Sequence, residues 1–265
     1  MPEQLQVLAC VKRVPMVGGR VVLTSDGQDV DTRMSGFTVS PHEECAVEEA
    51  VQIAERTGGT ATVLTLGPAE AAEQLRDMLA LGASRAVLLE TDGREWGAIA
   101  TAAAIADTVR RRAASDEPPW DLLLFGNEAA DTGGYQVAVR VAHALGLPCV
   151  TGIKNLELAD GGPGAGRLRA RREYRGVEEA YDLALPAVVS VKEGINLPRY
   201  PSLPGRLRAR RAEIQRFQPE FRAEGLRKLG LRVPEGERKQ AEVLGTGVDA
   251  VPALVALLDE LGVLS

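Results

Sequence analysis

Short apolar runs alternate with longer amphipathic stretches along most of the chain, and this alternation predicts repeated strand–helix units. Residues 7–11 (VLACV), 61–66, 86–89, 121–125 and 149–153 are strongly apolar, as strands buried on both faces of a parallel sheet must be. Between them apolar residues recur at helical spacing: Ala46, Val47, Ala50, Val51 and Ala54, then Leu75, Met78 and Leu79. An Ala-rich stretch over 98–112 and a stripe of Val137, Val141, Ala144 and Leu145 repeat the pattern. The helix ends are marked chemically. Ser40-Pro41 followed by Glu43 and Glu44 opens one helix, and Thr57-Gly58-Gly59 closes it. Gly82 and Gly146-Leu147-Pro148 close two others. The order β-α-β-α-β-α-β-α implies a doubly wound, mostly parallel α/β sheet with right-handed crossovers. Residues 12–15 read as the stop of the first strand, and 18–31 as a small hairpin excursion.

The pattern loosens after residue 153. Residues 156–159 and 168–174 read as an antiparallel hairpin around a Gly-rich loop, with Arg167, Arg169, Arg171 and Arg172 largely on one face. Residues 178–185 are a further strand candidate, and 186–191 a central one. Residues 192–205 contain Pro198, Pro201 and Pro204 and no periodicity, which predicts an exposed loop of defined shape. The basic run 206–211 reads as a solvated helix face. Residues 217–242 form a polar arm, and 251–261 an amphipathic helix with Leu254, Leu257, Leu258 and Leu261 on one side. The expected organisation is a nucleotide-binding domain over 1–215 and a C-terminal arm and helix over 216–265.

Composition narrows the classes. With 4% aromatics the core must be built from aliphatic residues. A net charge of -6 argues against nucleic acid as the main partner. Cys10, Cys45 and Cys149 have no metal-like spacing and read as reduced, buried side chains. No apolar run approaches membrane-spanning length and no signal-peptide core is present, so the expectation is a cytoplasmic protein not embedded in a membrane.

The chemistry concentrates in residues 120–147. A buried strand runs into a loop of Gly and small polar residues, and the loop runs into a helix. Backbone N–H groups and the positive helix end there can cradle an anion such as a nucleotide phosphate, although an ordinary βα connection has the same outline. With only His42 and His143 in the chain, no Ser/His/Asp or Cys/His constellation is persuasive. His42, alone at a helix start, reads as a solvated side chain. Nor does a Ser-Gly-Gly-x-Asp-Ser loop follow the first strand, which weighs against an ATP pyrophosphatase. A regulatory nucleotide-binding protein of the universal-stress type needs neither the Pro-rich loop nor the C-terminal arm.

Six stretches in one order resemble the β subunit of electron transfer flavoprotein: VLACVKRVP, SPHEECAVEEAV, LGP with LRDMLALGASRAVLL, LLLFGNEAADTGGYQ, RRE with LALPAVVSV, and NLPRYPSLPGRLRARR. The resemblance implies a Rossmann-like domain, akin to the adenine nucleotide alpha hydrolase fold, with an antiparallel hairpin and a C-terminal extension. It implies a carrier subunit without its own catalytic turnover, paired with an α subunit that holds most contacts to FAD. Flavin-dependent dehydrogenases, such as acyl-CoA dehydrogenases, would supply electrons to a quinone oxidoreductase or similar acceptor. AMP is implied in the β subunit, with a second FAD there as the alternative found in electron-bifurcating members.

Carried over by position, Cys10, Ser40, Pro41, His42, Glu43 and Leu66 fall on the nucleotide contacts. So do Gly126, Asn127, Glu128, Ala129, Asp131, Thr132, Gly133, Gly134, Tyr135, Gln136 and Val137. Leu203 falls on the apolar anchor for a dehydrogenase, with Tyr200 and Pro204 beside it. Arg208 and Arg211 fall where relatives carry Lys, and Glu173 on an acidic residue facing a mobile flavin domain. Three positions depart from the family pattern. Thr132-Gly133-Gly134 replaces an acidic cluster, Val137 replaces a hydroxyl residue, and Ser40 replaces Asn. The loop lacks the full bifurcating pattern.

Overall fold

A computed structural model describes residues 4–16, 21–158, 166–223, 228–234 and 243–264. The first apolar run forms β1 (Gln6–Val11). One residue later β2 (Arg13–Pro15) begins, and it pairs antiparallel with β3 (Phe37–Val39). Residues 13–15 are therefore a strand of their own rather than a stop. Pro15 is tolerated because it ends an edge strand, where no ladder donor is needed. Inside the excursion the described residues hold an isolated antiparallel bridge between Leu23 and Val30.

α1 (Pro41–Thr57) follows, opened by a reciprocal capping box of Ser40 and Glu43 and closed by Gly58 at φ 67. Next come β4 (Thr60–Gly67), a 3-10 turn at Ala69–Ala71, α2 (Ala72–Leu81), β5 (Arg85–Glu90) and α3 (Ala98–Ala113). Then come β6 (Leu122–Gly126), α4 (Val137–Leu145) and β7 (Cys149–Ile153). β8 (Asn155–Leu158), β9 (Arg167–Tyr174) and β10 (Val177–Ala184) form a separate three-stranded antiparallel sheet, one strand more than the expected hairpin. The Gly-rich loop expected between β8 and β9 lies largely outside the described residues. The chain returns to the main sheet through β11 (Ala187–Val191), then α5 (Leu203–Arg211) and β12 (Ile214–Phe217).

The main sheet is all parallel, in the order β12-β5-β4-β1-β6-β11-β7. Strand order runs outward both ways from β1, which makes the Rossmann-like switch point lie at its C-terminal end. Open α/β sheets bind ligands at that crevice. Two apolar layers flank the sheet. Val7, Ala9, Leu122 and Leu124 face α1 and α2, whereas Leu8, Cys10, Leu123 and Phe125 face α3 and α4.

Two expectations are corrected here. Leu203, Pro204 and Gly205 belong to α5, not to the loop: Ser202 caps the helix by accepting the Gly205 N–H at 3.1 Å, and Pro204 sits in its first turn. The polar arm expected over 217–242 is preceded by a sheet strand, because β12 pairs parallel with β5 and straddles the boundary expected at 215/216. Arg216 then binds Glu90, and Arg222 binds Asp107. The chain divides into compact units Met1–Gly230 and Leu231–Ser265. Part of the expected arm, residues 224–227 and 235–242, lies outside the described residues. Within the second unit α6 (Val251–Glu260) has no buried residue, and Leu254, Leu257 and Leu261 are exposed.

Candidate functional site

Two loops leave the C-terminal ends of neighbouring strands. One, residues 127–136, follows β6; the other, residues 192–202, follows β11. Their roots touch: the Asn127 N–H donates to the Val191 carbonyl at 2.9 Å, and the Ser190 hydroxyl donates to Asn127 Oδ1 at 3.1 Å. Both are fastened to α1.

At the first loop, Gly126 lets β6 meet the start of α1. A Cβ at this position would stand 2.5 Å from Glu43 Cγ and 2.9 Å from Glu43 N, so glycine is required by close approach. Ser40 Oγ accepts the Ala130 N–H at 2.9 Å. Lys12, at the end of β1, donates to Asp131 Oδ1 at 2.8 Å. His42 Nδ1 accepts the Glu193 N–H at 2.9 Å, and its Nε2 lies 3.5 Å from Glu128 Oε1. His42 thus bridges the two loops instead of standing in solvent. Tyr135, at φ 53, hydrogen-bonds Glu128 through its hydroxyl. Gln136 Oε1 accepts from Arg140, and Gly133 N–H donates to the Ala129 carbonyl, closing the turn. Thr132, Gly133 and Gly134 are exposed.

Beneath the loop, Cys10 and Glu43 are buried together. Burial pushes the Glu43 carboxyl up to about 8, against the opposing hydrogen bonds from the Lys12 and Ser40 backbone. Burial, then the Glu43 charge, raises the Cys10 thiol. Leu66 lies one step beyond Thr65, which pairs with Val11, so it sits on the same rim.

The donor set suits a phosphate. α4 starts without a side-chain cap and without acid in its first turn, leaving backbone N–H groups for an anion. Val137 offers no hydroxyl, and Glu128 and Asp131 already engage His42 and Lys12. An anion here is therefore met mainly by backbone amides. Tyr135 and Gln136 also line a groove of about 620 Å³ on the flank of α3 and α4, with Ile99, Ala102, Val139 and His143.

The second loop carries the docking candidates. Tyr200 is 95% exposed and Leu203, the first residue of α5, is 72% exposed. Pro204, Arg208 and Arg211 lie on the same short helix, and all three are exposed. The inner side of the loop borders a groove of about 1010 Å³ against α2 and α5. Glu173 stands apart on the three-stranded sheet, opposite Glu178. Sequence reasoning does not single out Lys12, Glu48, Asn196 or Arg199. Asn196 reaches Glu49 of α1 at 3.1 Å and Arg199 reaches Glu48 at 3.2 Å, across 147 and 151 positions of chain. No local spacing signals contacts that distant.

Among the described residues no group of His, Cys, Asp and Glu is placed to hold a metal ion, and no helix is long and apolar enough to cross a membrane.

The electron transfer flavoprotein domain family matches residues 30–221. The chain is 37% identical over 184 residues to the electron transfer flavoprotein subunit beta of Bacillus subtilis, covering 69% of this chain and 67% of that protein. It is 34% identical over 211 residues to the same-named protein of Syntrophomonas wolfei, covering 79% and 78%. With that of Mycobacterium tuberculosis (strain H37Rv) it shares 33% identity over 214 residues, covering 78% and 77%.

Proposed function

The chain belongs to the electron transfer flavoprotein family as a β subunit, and from that premise we propose that it forms a heterodimer with an α subunit and serves electron transfer in the cytoplasm. In this reading it has no catalytic turnover of its own. The observation that carries the reading is an apolar side chain held in water at a helix start: Leu203, beside Tyr200 and ahead of Arg208 and Arg211. A single apolar anchor with a basic rim is a compact docking site for an acidic partner surface. The electron donor is a flavin-dependent dehydrogenase, an acyl-CoA dehydrogenase being the model case, and the acceptor is a quinone oxidoreductase or a similar protein. FAD, held mainly by the α subunit, supplies the redox chemistry.

The loop 126–137, the α1 start at 40–43, Cys10 and Leu66 hold the adenine nucleotide, AMP. Backbone amides of the loop and of the α4 start hold the phosphate, while Lys12 offsets its charge. Glu173 contacts the mobile flavin-bearing part of the α subunit, and the segment 216–265 reaches that subunit through α6. FAD in the β site, as in bifurcating relatives, is the second reading. The exposed Thr132-Gly133-Gly134 backbone favours it by leaving room for a larger ligand.

Co-expression with the α subunit, followed by denaturation and chromatography of the released nucleotides, tests both readings. One FAD and one AMP per heterodimer is the expected result, and two FAD would select the second reading. A stable monomer with no affinity for an α subunit would sink the proposal. Leu203→Ala is expected to raise the KM for the heterodimer in dehydrogenase-linked reduction about tenfold, equivalent to about 1.4 kcal/mol, with nucleotide content unchanged. Unchanged kinetics would remove the anchor.

A further inference from the structure

Tyr200 lies in a stretch, 196–202, that forms no helix or strand, and this stretch sets the approach to Leu203 at the start of α5. Leu197 is exposed as well. Apolar side chains on a free loop fold back against the protein, because water favours any arrangement that hides them. The prolines at 198 and 201 fix φ at two positions but attach the loop to nothing.

What attaches it is Arg199. Its guanidinium meets Glu48 through Nε to Oε2 at 3.0 Å and Nη2 to Oε1 at 3.0 Å. The same group meets Glu55 through Nη1 to Oε1 at 2.7 Å and Nη2 to Oε2 at 3.0 Å. Its backbone N–H donates to Glu48 Oε2 at 3.1 Å, so main chain and side chain are both tied to α1. Gln52 donates to Glu48 Oε1 at 2.8 Å and braces the acceptor from the other side. Glu48 is 3% exposed, which keeps water from competing for it. Three residues earlier Asn196 donates to the Cys45 carbonyl at 3.0 Å and to Glu49 Oε2 at 3.1 Å, adding a second tie to the same helix.

Resting on the docking reading above, we propose that Arg199 is a positioning residue for partner docking: its double grip on Glu48 and Glu55 sets the loop in its bound shape before a partner arrives. The benefit is entropic, since a loop ordered in advance loses less freedom on association. Lysine cannot replace it, because a point-charge ammonium lacks the planar fork that engages two carboxylates at once.

The test uses the intact heterodimer, with an acyl-CoA dehydrogenase and its acyl-CoA as the electron-donating probe. Arg199→Lys is expected to raise the KM for the heterodimer about tenfold, with kcat within about twofold. Amide exchange over 196–203 should quicken at the same time. Combined with Leu203→Ala, the two effects should be less than additive, because the grip acts through the anchor it presents. If Leu203→Ala raises KM but Arg199→Lys does not, the positioning role is overturned and the docking reading stands. If neither variant changes KM, the docking reading falls and this proposal falls with it. Should Arg199→Lys fail to assemble, Glu55→Gln removes the solvent-side half of the grip. It should raise KM about threefold in a folded heterodimer, and an unchanged KM would overturn the proposal.

Discussion

The two rim loops solve the same problem with opposite materials. Residues 192–202 are held by Arg199 in a fork against Glu48, a carboxylate shut away from water. Residues 127–136 have a tie to the buried Ser40, the Ala130 N–H on its Oγ, but their side chains are held by Lys12 against Asp131 and His42 against Glu128, pairs that stand partly in solvent. Burial raises the Glu48 carboxyl, but the hydrogen bonds from Arg199 and Gln52 and the Arg199 charge together outweigh it and leave the group below its ordinary range. Lys12 and Asp131 have no such enclosure, and salt screens their attraction. The difference separates a loop whose shape is fixed from one whose ties can be exchanged. An anion entering the first loop can take over Lys12 at small cost; nothing arriving at the second loop can easily displace Glu48.

The largest expected effect tests the fixed loop. Arg199→Ala strands Glu48 and should cost about 3 kcal/mol in urea unfolding, changing little between low and high salt. A cost below about 1 kcal/mol would place this pair with ordinary surface pairs. Next, Gly126→Ala forces a methyl group into Glu43 and should cost about 2 kcal/mol in the same assay; this locates the rigid part of the first loop at its root rather than in its ion pairs.

The third prediction concerns pH. The Glu43 carboxyl is raised by burial, so the folded chain holds a proton that the unfolded chain has lost between pH 4.5 and about 8. Stability from this group is full below that window and falls as pH rises through it, by at most about 1.4 kcal/mol per unit. Glu43→Gln should flatten the decline, and an unchanged slope in pH-dependent denaturation would assign the loss to other groups. The smallest effect is that of Lys12→Ala, expected to cost under about 1 kcal/mol and to vanish at high salt. A larger, salt-independent cost would erase the contrast between the loops.

Much of this is legible in sequence, for physical reasons. The five inner strands are apolar because each is covered on both faces, and the Ser-Pro and Gly signals mark α1 and α4 within a residue. Of the two edge strands β7 keeps a legible apolar run, whereas β12 escapes the pattern because Ile-Gln-Arg-Phe has no fully buried residue and resembles the polar arm that follows it. The start of α5 reads as loop because three prolines outweigh Ser202, whose cap signature is nonetheless present. The loop 127–136 can be placed from its Gly and polar content. Its ties to Lys12 and His42, and the grip of Arg199, join positions too distant for any spacing to reveal.

The shared root of the loops carries a consequence for re-engineering the chain. Asn127, Ser190 and Val191 form one hydrogen-bonded junction from which both loops diverge. Their tips, at Thr132 to Gly134 and at Tyr200 to Leu203, are free to be rewritten separately, like interchangeable heads on a common handle. A transplant that carries a tip but respects the junction is expected to change one loop and leave the other alone, and one that cuts through the junction to reset both.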